Sequence, residues 1–156
     1  MVPRLLVVLA VLLAGPPAAD AEPPRTPDSF NDEGIAWQTF EDGLAEARRS
    51  GKPIFLLVHA TWCPVCRVYR AQFFDKQVEE MARRMVFVIV DGDLEPDLSD
   101  RYALDGTYIP RSMILDPEGR PVEAISGPDP EHRYFLYPAS PEELRSMLAQ
   151  GLALVQ

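Results

Sequence analysis

Ala60-Thr61-Trp62-Cys63-Pro64-Val65-Cys66-Arg67 is the stretch on which the reading of this chain turns. It holds the only two cysteines among 156 residues, three positions apart. Five consecutive apolar residues, Ile54-Phe55-Leu56-Leu57-Val58, lie just before it, between the breakers Gly51 and Pro53 and the polar His59. So short an apolar run predicts a fully buried strand of the kind found in parallel sheets. On the other side, Val65, Tyr69 and Phe73 recur at i, i+4 and i+8, the stripe of a helix. Pro64 suits the first turn of that helix, where its missing N–H is not needed. A Cys-x-x-Cys pair at a strand-to-helix junction reads as a dithiol/disulfide site.

Further along, Val86-Phe87-Val88-Ile89-Val90 predicts a second buried strand. Strand, helix and strand at this spacing form a βαβ unit, so the two strands should run parallel. Upstream, Thr39-Phe40-Glu41-Asp42 has the form of a capping box opening a helix that carries Leu44 and Ala47 and stops at Gly51. Asp75 is expected to cap a second helical piece with Val78, Met81 and Ala82 on one face. Downstream come a short helix over 98–104, a strand Ser112–Leu115, the turn Asp116-Pro117-Glu118-Gly119, and a return arm over 121–126. Ser140-Pro141-Glu142-Glu143 then supplies an N-cap, a proline at the first position and an acid for a last helix, with Leu144, Met147, Leu148 and Leu152 as its buried stripe. The whole predicts an α/β fold: a central mixed sheet, made of a βαβ half plus a β-hairpin, flanked by helices.

Composition narrows the partners. With 47% hydrophobic residues a single packed domain is expected, and a formal charge of -9 leaves no basic footprint for nucleic acid or for an anionic membrane surface. Residues 1–21 have the form of a signal peptide: one positive charge, an apolar run Leu5 to Ala14 too short to span a bilayer, and small residues at Ala19 and Ala21. Cleavage after Ala21, a disordered Pro-rich lead-in over 22–34 and a folded domain over 35–156 are expected. Export places Cys63 and Cys66 where a disulfide persists.

No metal or cofactor is expected. Asp91-x-Asp93-x-Glu95 has the start of a calcium loop, but Pro96 stands where the sixth-position glycine is required and no glutamate closes it. Zinc on the cysteines would need His59, His132 or carboxylates to complete four ligands.

Several motifs together resemble the thioredoxin superfamily, and within it the group of thioredoxin domain-containing protein 12 and the anterior gradient proteins. They are Trp37-x-Thr39-x-Glu41-Asp42-Gly43, Ser50-Gly51-x-Pro53, His59-x-x-Trp62-Cys63-x-x-Cys66, Asp105-Gly106-x-Tyr108-Ile109-Pro110-Arg111 and Leu115-Asp116-Pro117-x-Gly119. The resemblance runs from about Ile35 to the end. It implies a thioredoxin-like fold in a small exported protein, and a cis bond between Ile109 and Pro110 placed against the dithiol, with Ile109 and Trp62 meeting an extended substrate. The chain departs from the group in three ways. It ends Ala153-Leu154-Val155-Gln156 without a retrieval signal, which favours a bacterial periplasm over the endoplasmic reticulum. Leu57 stands where thioredoxin carries a buried aspartate. Both cysteines are kept, whereas the anterior gradient proteins lack the second.

At a helix start, unpaired N–H groups stabilise a thiolate, so Cys63 is the expected nucleophile and Cys66 the resolving thiol. His59 is a candidate for proton transfer or for a structural role. Arg67 and Arg111 are candidates for positive potential near the site. The expected function is thiol–disulfide exchange on cysteine-containing exported proteins or glutathione, by a monomer served by an unidentified redox partner. Three alternatives stay open: an inert structural disulfide, a metal site, and a substrate-binding or chaperone-like module with little turnover.

Overall fold

The computed structural model describes residues 29–155, so the expected signal peptide and the first part of the lead-in lie outside the described residues. The two apolar runs are its spine. Strands β2 (Ile54–His59) and β3 (Val86–Asp91) pair in parallel, from Ile54 opposite Val86 to His59 opposite Asp91. Strand β4 (Arg111–Leu115) lies antiparallel on the other side of β2, with Val58 opposite Arg111 and Ile54 opposite Leu115. A two-residue strand β1 (Trp37–Gln38), absent from the sequence reading, pairs in parallel with β3. The sheet order is β1-β3-β2-β4.

Alternation along these strands divides the core into two layers. Phe55, Leu57, Phe87 and Ile114 face one side, under α2 (Pro64–Tyr69), α3 (Lys76–Ala82) and α5 (Glu142–Ala153). Leu56, Val58, Val88, Val90 and Met113 face the other, under α1 (Phe40–Ser50) and α4 (Pro96–Arg101). A sheet buried on both faces explains why its strands read as unbroken apolar runs.

Local signals act largely as the sequence suggests. Thr39 Oγ1 accepts the Asp42 N–H, and Gly51 closes α1 at φ 70. Asp75 Oδ1 accepts the N–H groups of Gln77 and Val78 at the start of α3. Four expectations need correction. The helix after the cysteines is not continuous: α2 ends at Tyr69 and a 3₁₀ turn, Arg70–Phe74, carries the chain to Asp75. α5 counts from Glu142 with Pro141 rather than Ser140 as its N-cap, although Ser140 Oγ still accepts the Glu142 N–H at 3.4 Å, and the Glu143 carboxylate reaches back to the Tyr137 N–H. The return arm of the hairpin shrinks to a single bridge, Leu115 to Pro121. Two hydrogen bonds flank that bridge, Asp116 N–H to Arg120 O and Val122 N–H to Ile114 O, before the chain turns away. The outer edge of β4 is then completed at its other end by Tyr134, whose carbonyl accepts the Ser112 N–H.

The lead-in also ends earlier than 34. Phe30 and Asn31 are buried. Phe30 packs edge-on against Trp37, His59 and Phe73, and its carbonyl accepts the Trp37 indole N–H at 2.9 Å. Asn31, at φ 66, donates its amide to Phe73 O and to the Glu79 carboxylate. One aromatic and one asparagine in a polar stretch thus anchor the entry of the chain to the helical layer above the sheet.

Candidate active site

Where β2 ends, the chain turns through Ala60-Thr61-Trp62, with the Cys63 N–H on Ala60 O, and enters α2. Cys63 is the N-cap and Pro64 takes the first helical position. Cys63 and Cys66 are joined as a disulfide. Cys63 Sγ accepts the Cys66 backbone N–H at 3.1 Å. That N–H would point at a thiolate once the bond is reduced, and a hydrogen bond to the charged form favours ionisation. α2 is only six residues long, so this local donor matters more than the macrodipole. Cys63 retains 3% exposure and Cys66 none, so an incoming group meets Cys63 first.

The loop before β4 faces this sulfur. Ile109–Pro110 is a cis bond, as the resemblance implied. The Ile109 carbonyl oxygen lies 3.8 Å from Cys63 Sγ. On another side stands Trp62, which is 63% exposed, so its body is not core packing. Its indole N–H donates to the Asp93 carboxylate at 2.6 Å, and Leu94 beside Asp93 is 82% exposed. The disulfide therefore has the cis-proline loop on one side and Trp62, tied to Asp93, on another.

Below the disulfide the surroundings are apolar. Leu57 is fully buried in the same cluster as Cys63, Cys66 and Phe73, with no carboxylate in thioredoxin's aspartate position. The polar group of that layer is the Tyr69 hydroxyl, 2.8 Å from Ser112 Oγ, both buried. Burial pushes the Tyr69 phenol well above its ordinary value. His59 lies on the same face of β2 as Leu57, against the Phe30 ring. Burial lowers its imidazole below the ordinary 6.5, while the Asp91 carboxylate pulls the other way. His59 Nδ1 is buried without a hydrogen-bond partner, and no hydrogen bond joins His59 to either cysteine among the described residues.

Arg67 is exposed on α2. Arg111 is not a surface charge: it is fully buried, and donates to Tyr108 O, Ser99 O and Ser99 Oγ. Sequence reasoning missed Asp93, Ser112 and the burial of Arg111. The acidic run hid which carboxylate meets Trp62. An arginine after a proline gives no sign of facing inward. Among the described residues no three His, Cys, Asp or Glu side chains gather to hold a metal ion, and no helix is long and apolar enough to cross a membrane.

Comparison with known proteins agrees with this geometry. A family profile described as thioredoxin-like matches residues 36–117. Anterior gradient protein 3 of Mus musculus is 28% identical over 155 residues, 97% of this chain and 92% of that protein. Anterior gradient protein 2-B of Xenopus laevis is 27% identical over 154 residues, with the same coverage. Among solved structures, one titled DsbH Oxidoreductase superposes with a TM-score of 0.60 at 18% identity, covering 90% of this chain and 96% of that one. A thioredoxin from Thermus thermophilus gives 0.55 at 20% identity, covering 78% and 88%. The structural likenesses bear on fold, and the profile spans more than half of the sequence: the chain belongs to the thioredoxin-like family and resembles the anterior gradient proteins over nearly its full length.

Proposed function

We propose that the chain is a thiol–disulfide oxidoreductase acting on disulfides of exported proteins, with Cys63 as nucleophile and Cys66 as resolving thiol. The observation that carries this reading is the Cys63–Cys66 disulfide at the start of α2, with the Cys66 N–H on Cys63 Sγ and the Ile109 carbonyl 3.8 Å away. An inert structural crosslink is a poor alternative, because closing so short a loop removes little entropy from the unfolded chain.

In the reductive direction the Cys63 thiolate attacks one sulfur of a substrate disulfide. A mixed disulfide forms and the other substrate sulfur leaves as a thiolate that takes up a proton. Cys66 then loses its proton and attacks Cys63 Sγ. The second substrate sulfur leaves, and the Cys63–Cys66 bond is restored. Oxidation of a substrate dithiol is the same sequence reversed. Trp62, Ile109 and Pro110 frame the cleft that receives the polypeptide. Water or His59 accepts the Cys66 proton, since Leu57 offers no carboxylate. Glutathione or a dedicated redox protein restores the working state. The apolar segment Leu5 to Ala14 and the small residues at Ala19 and Ala21 support export, with a bacterial periplasm as the destination.

Insulin reduction and oxidative refolding of a scrambled substrate test this on the wild type and Cys63→Ser. Turnover by the wild type alone is expected; equal rates would leave a binding module. The reduction potential sets the direction, a value near about -120 mV marking an oxidant and about -270 mV a reductant.

A further inference from the structure

Arg111 is fully buried, yet among the described residues no carboxylate contacts it directly; Asp105 and Asp100 act on it only from a distance. Its guanidinium spends its hydrogen bonds on neutral groups: Tyr108 O at 2.8 Å, Ser99 O at 2.7 Å and Ser99 Oγ at 2.8 Å, while Nε has no partner. Burying a charge with no carboxylate in direct contact is costly, and an apolar side chain of similar volume would be the cheaper filling. What the guanidinium does that an apolar group cannot is join two separate segments at fixed geometry.

Those segments are the two sides of the cleft. Tyr108 O belongs to the loop that carries Ile109 and Pro110. That loop is also braced by the Tyr108 hydroxyl, which donates to Asp105 Oδ1 and accepts the Tyr134 N–H. Ser99 belongs to α4, which follows directly from the loop holding Gly92, Asp93 and Leu94. The two segments already touch: a Cβ on Gly92 would stand 3.3 Å from Ile109 Cδ1 and 3.3 Å from Ser99 Oγ. Asp93 in turn holds Trp62. A path therefore runs from Tyr108 O, next to Ile109, through Arg111 to Ser99, across to Gly92 and its chain neighbour Asp93, and on to Trp62.

We propose that Arg111 is a positioning residue that sets the spacing between the cis-proline loop and the Trp62–Asp93 wall, and so the fit of an extended polypeptide disulfide between them. It is buried beneath the cleft and does not itself touch substrate. This rests on the oxidoreductase reading above. A small dithiol reaches Cys63 without lying along both walls, so its rate should not depend on Arg111.

The test compares wild type, Arg111→Met, Arg111→Lys and Ser99→Ala in two reactions: turnover of a peptide disulfide, and direct reduction of the Cys63–Cys66 bond by dithiothreitol. In Arg111→Met, kcat/KM for the peptide should fall about tenfold while the dithiothreitol rate stays within about twofold. Arg111→Lys should recover only part of the loss, because an ammonium lacks the planar fork. Ser99→Ala, which removes one acceptor, should show a smaller loss in the same reaction only. A folded Arg111→Met with both rates unchanged, or both reduced in proportion, overturns the proposal. Should Arg111→Met fail to fold, a wild-type ratio of the two rates in Arg111→Lys and Ser99→Ala overturns it equally. A wild type that turns over no peptide disulfide removes the oxidoreductase reading and this inference together; variants that match an active wild type remove the inference alone.

Discussion

The Trp62 indole N–H donates to the Asp93 carboxylate at 2.6 Å across the end of the sheet, tying the residue before Cys63 to the loop after β3. This bond holds a largely exposed aromatic ring in one orientation beside a reactive sulfur. Exposed side chains contribute little to stability, so the ring's role should show in kinetics. Trp62→Ala is expected to lower kcat/KM for a protein disulfide about tenfold, with unfolding free energy within about 0.5 kcal/mol of wild type. Asp93→Asn, which keeps an acceptor but removes the charge, should fall between. Stopped-flow turnover and urea unfolding on the same samples decide this; a stability loss matching the kinetic loss would refute it.

His59 makes stability depend on pH. Its folded-state pKa is lowered by burial, from an ordinary value of 6.5. Between the two values the unfolded chain binds more protons than the folded one, so stability rises with pH across that window. It is fully present above about 6.5 and is lost as pH falls below it. Asp91 opposes the shift and limits its size. Urea unfolding at pH 7.5 and 5.5 should therefore show a loss on acidification in the wild type that shrinks in His59→Gln. Equal slopes in both proteins would place the dependence elsewhere.

Much of this was legible in the sequence, for reasons that separate one residue from another. Ile54–Val58 are buried on both faces and Val86–Val90 nearly so, with Ile89 half-buried, so their apolar runs need no context to be read as strands. Thr39, Gly51 and Asp75 act through neighbours one turn away, which spacing reveals. The cis bond at Pro110 came only through resemblance. The sequence makes Arg111 a candidate for positive potential near the site and does not reveal its burial, because its partners, Tyr108 O and Ser99, become neighbours through tertiary packing. The same holds for Phe30 and Asn31, whose partners Phe73 and Glu79 lie more than forty residues on. The return arm after Asp116 stays short because Tyr134, from a distant part of the chain, takes the Ser112 N–H on the outer edge of β4.

Tyr69 and Ser112 form a buried polar pair at 2.8 Å in the layer under the disulfide. Removing one partner leaves the other unsatisfied. Tyr69→Phe and Ser112→Ala should each cost about 1–3 kcal/mol. The double variant leaves no orphan, so its cost should be smaller than the sum of the two. A double-mutant cycle by urea unfolding measures the coupling; strict additivity would mean that the hydroxyls do not interact.

Gly43 shows why a glycine stands in the interior of α1, where it normally weakens a helix. Replacing an exposed mid-helix glycine by alanine usually gains about 1 kcal/mol. Here a Cβ would sit 2.3 Å from Val88 Cγ2 and 3.4 Å from Val86 Cγ1. Val88 is fully buried in β3, and β3 is hydrogen-bonded on both sides by β1 and β2. The strand cannot retreat, so α1 must lift off the sheet. Overpacking of this kind costs about 1–3 kcal/mol, which outweighs the propensity gain. Gly43→Ala should therefore destabilise the fold, and Val88→Ala in the same chain should recover part of the loss by opening space for the new methyl. Calorimetric unfolding of the single and double variants checks the sign: stabilisation by Gly43→Ala, or simple addition of two losses in the double variant, would show that the helix is free to move.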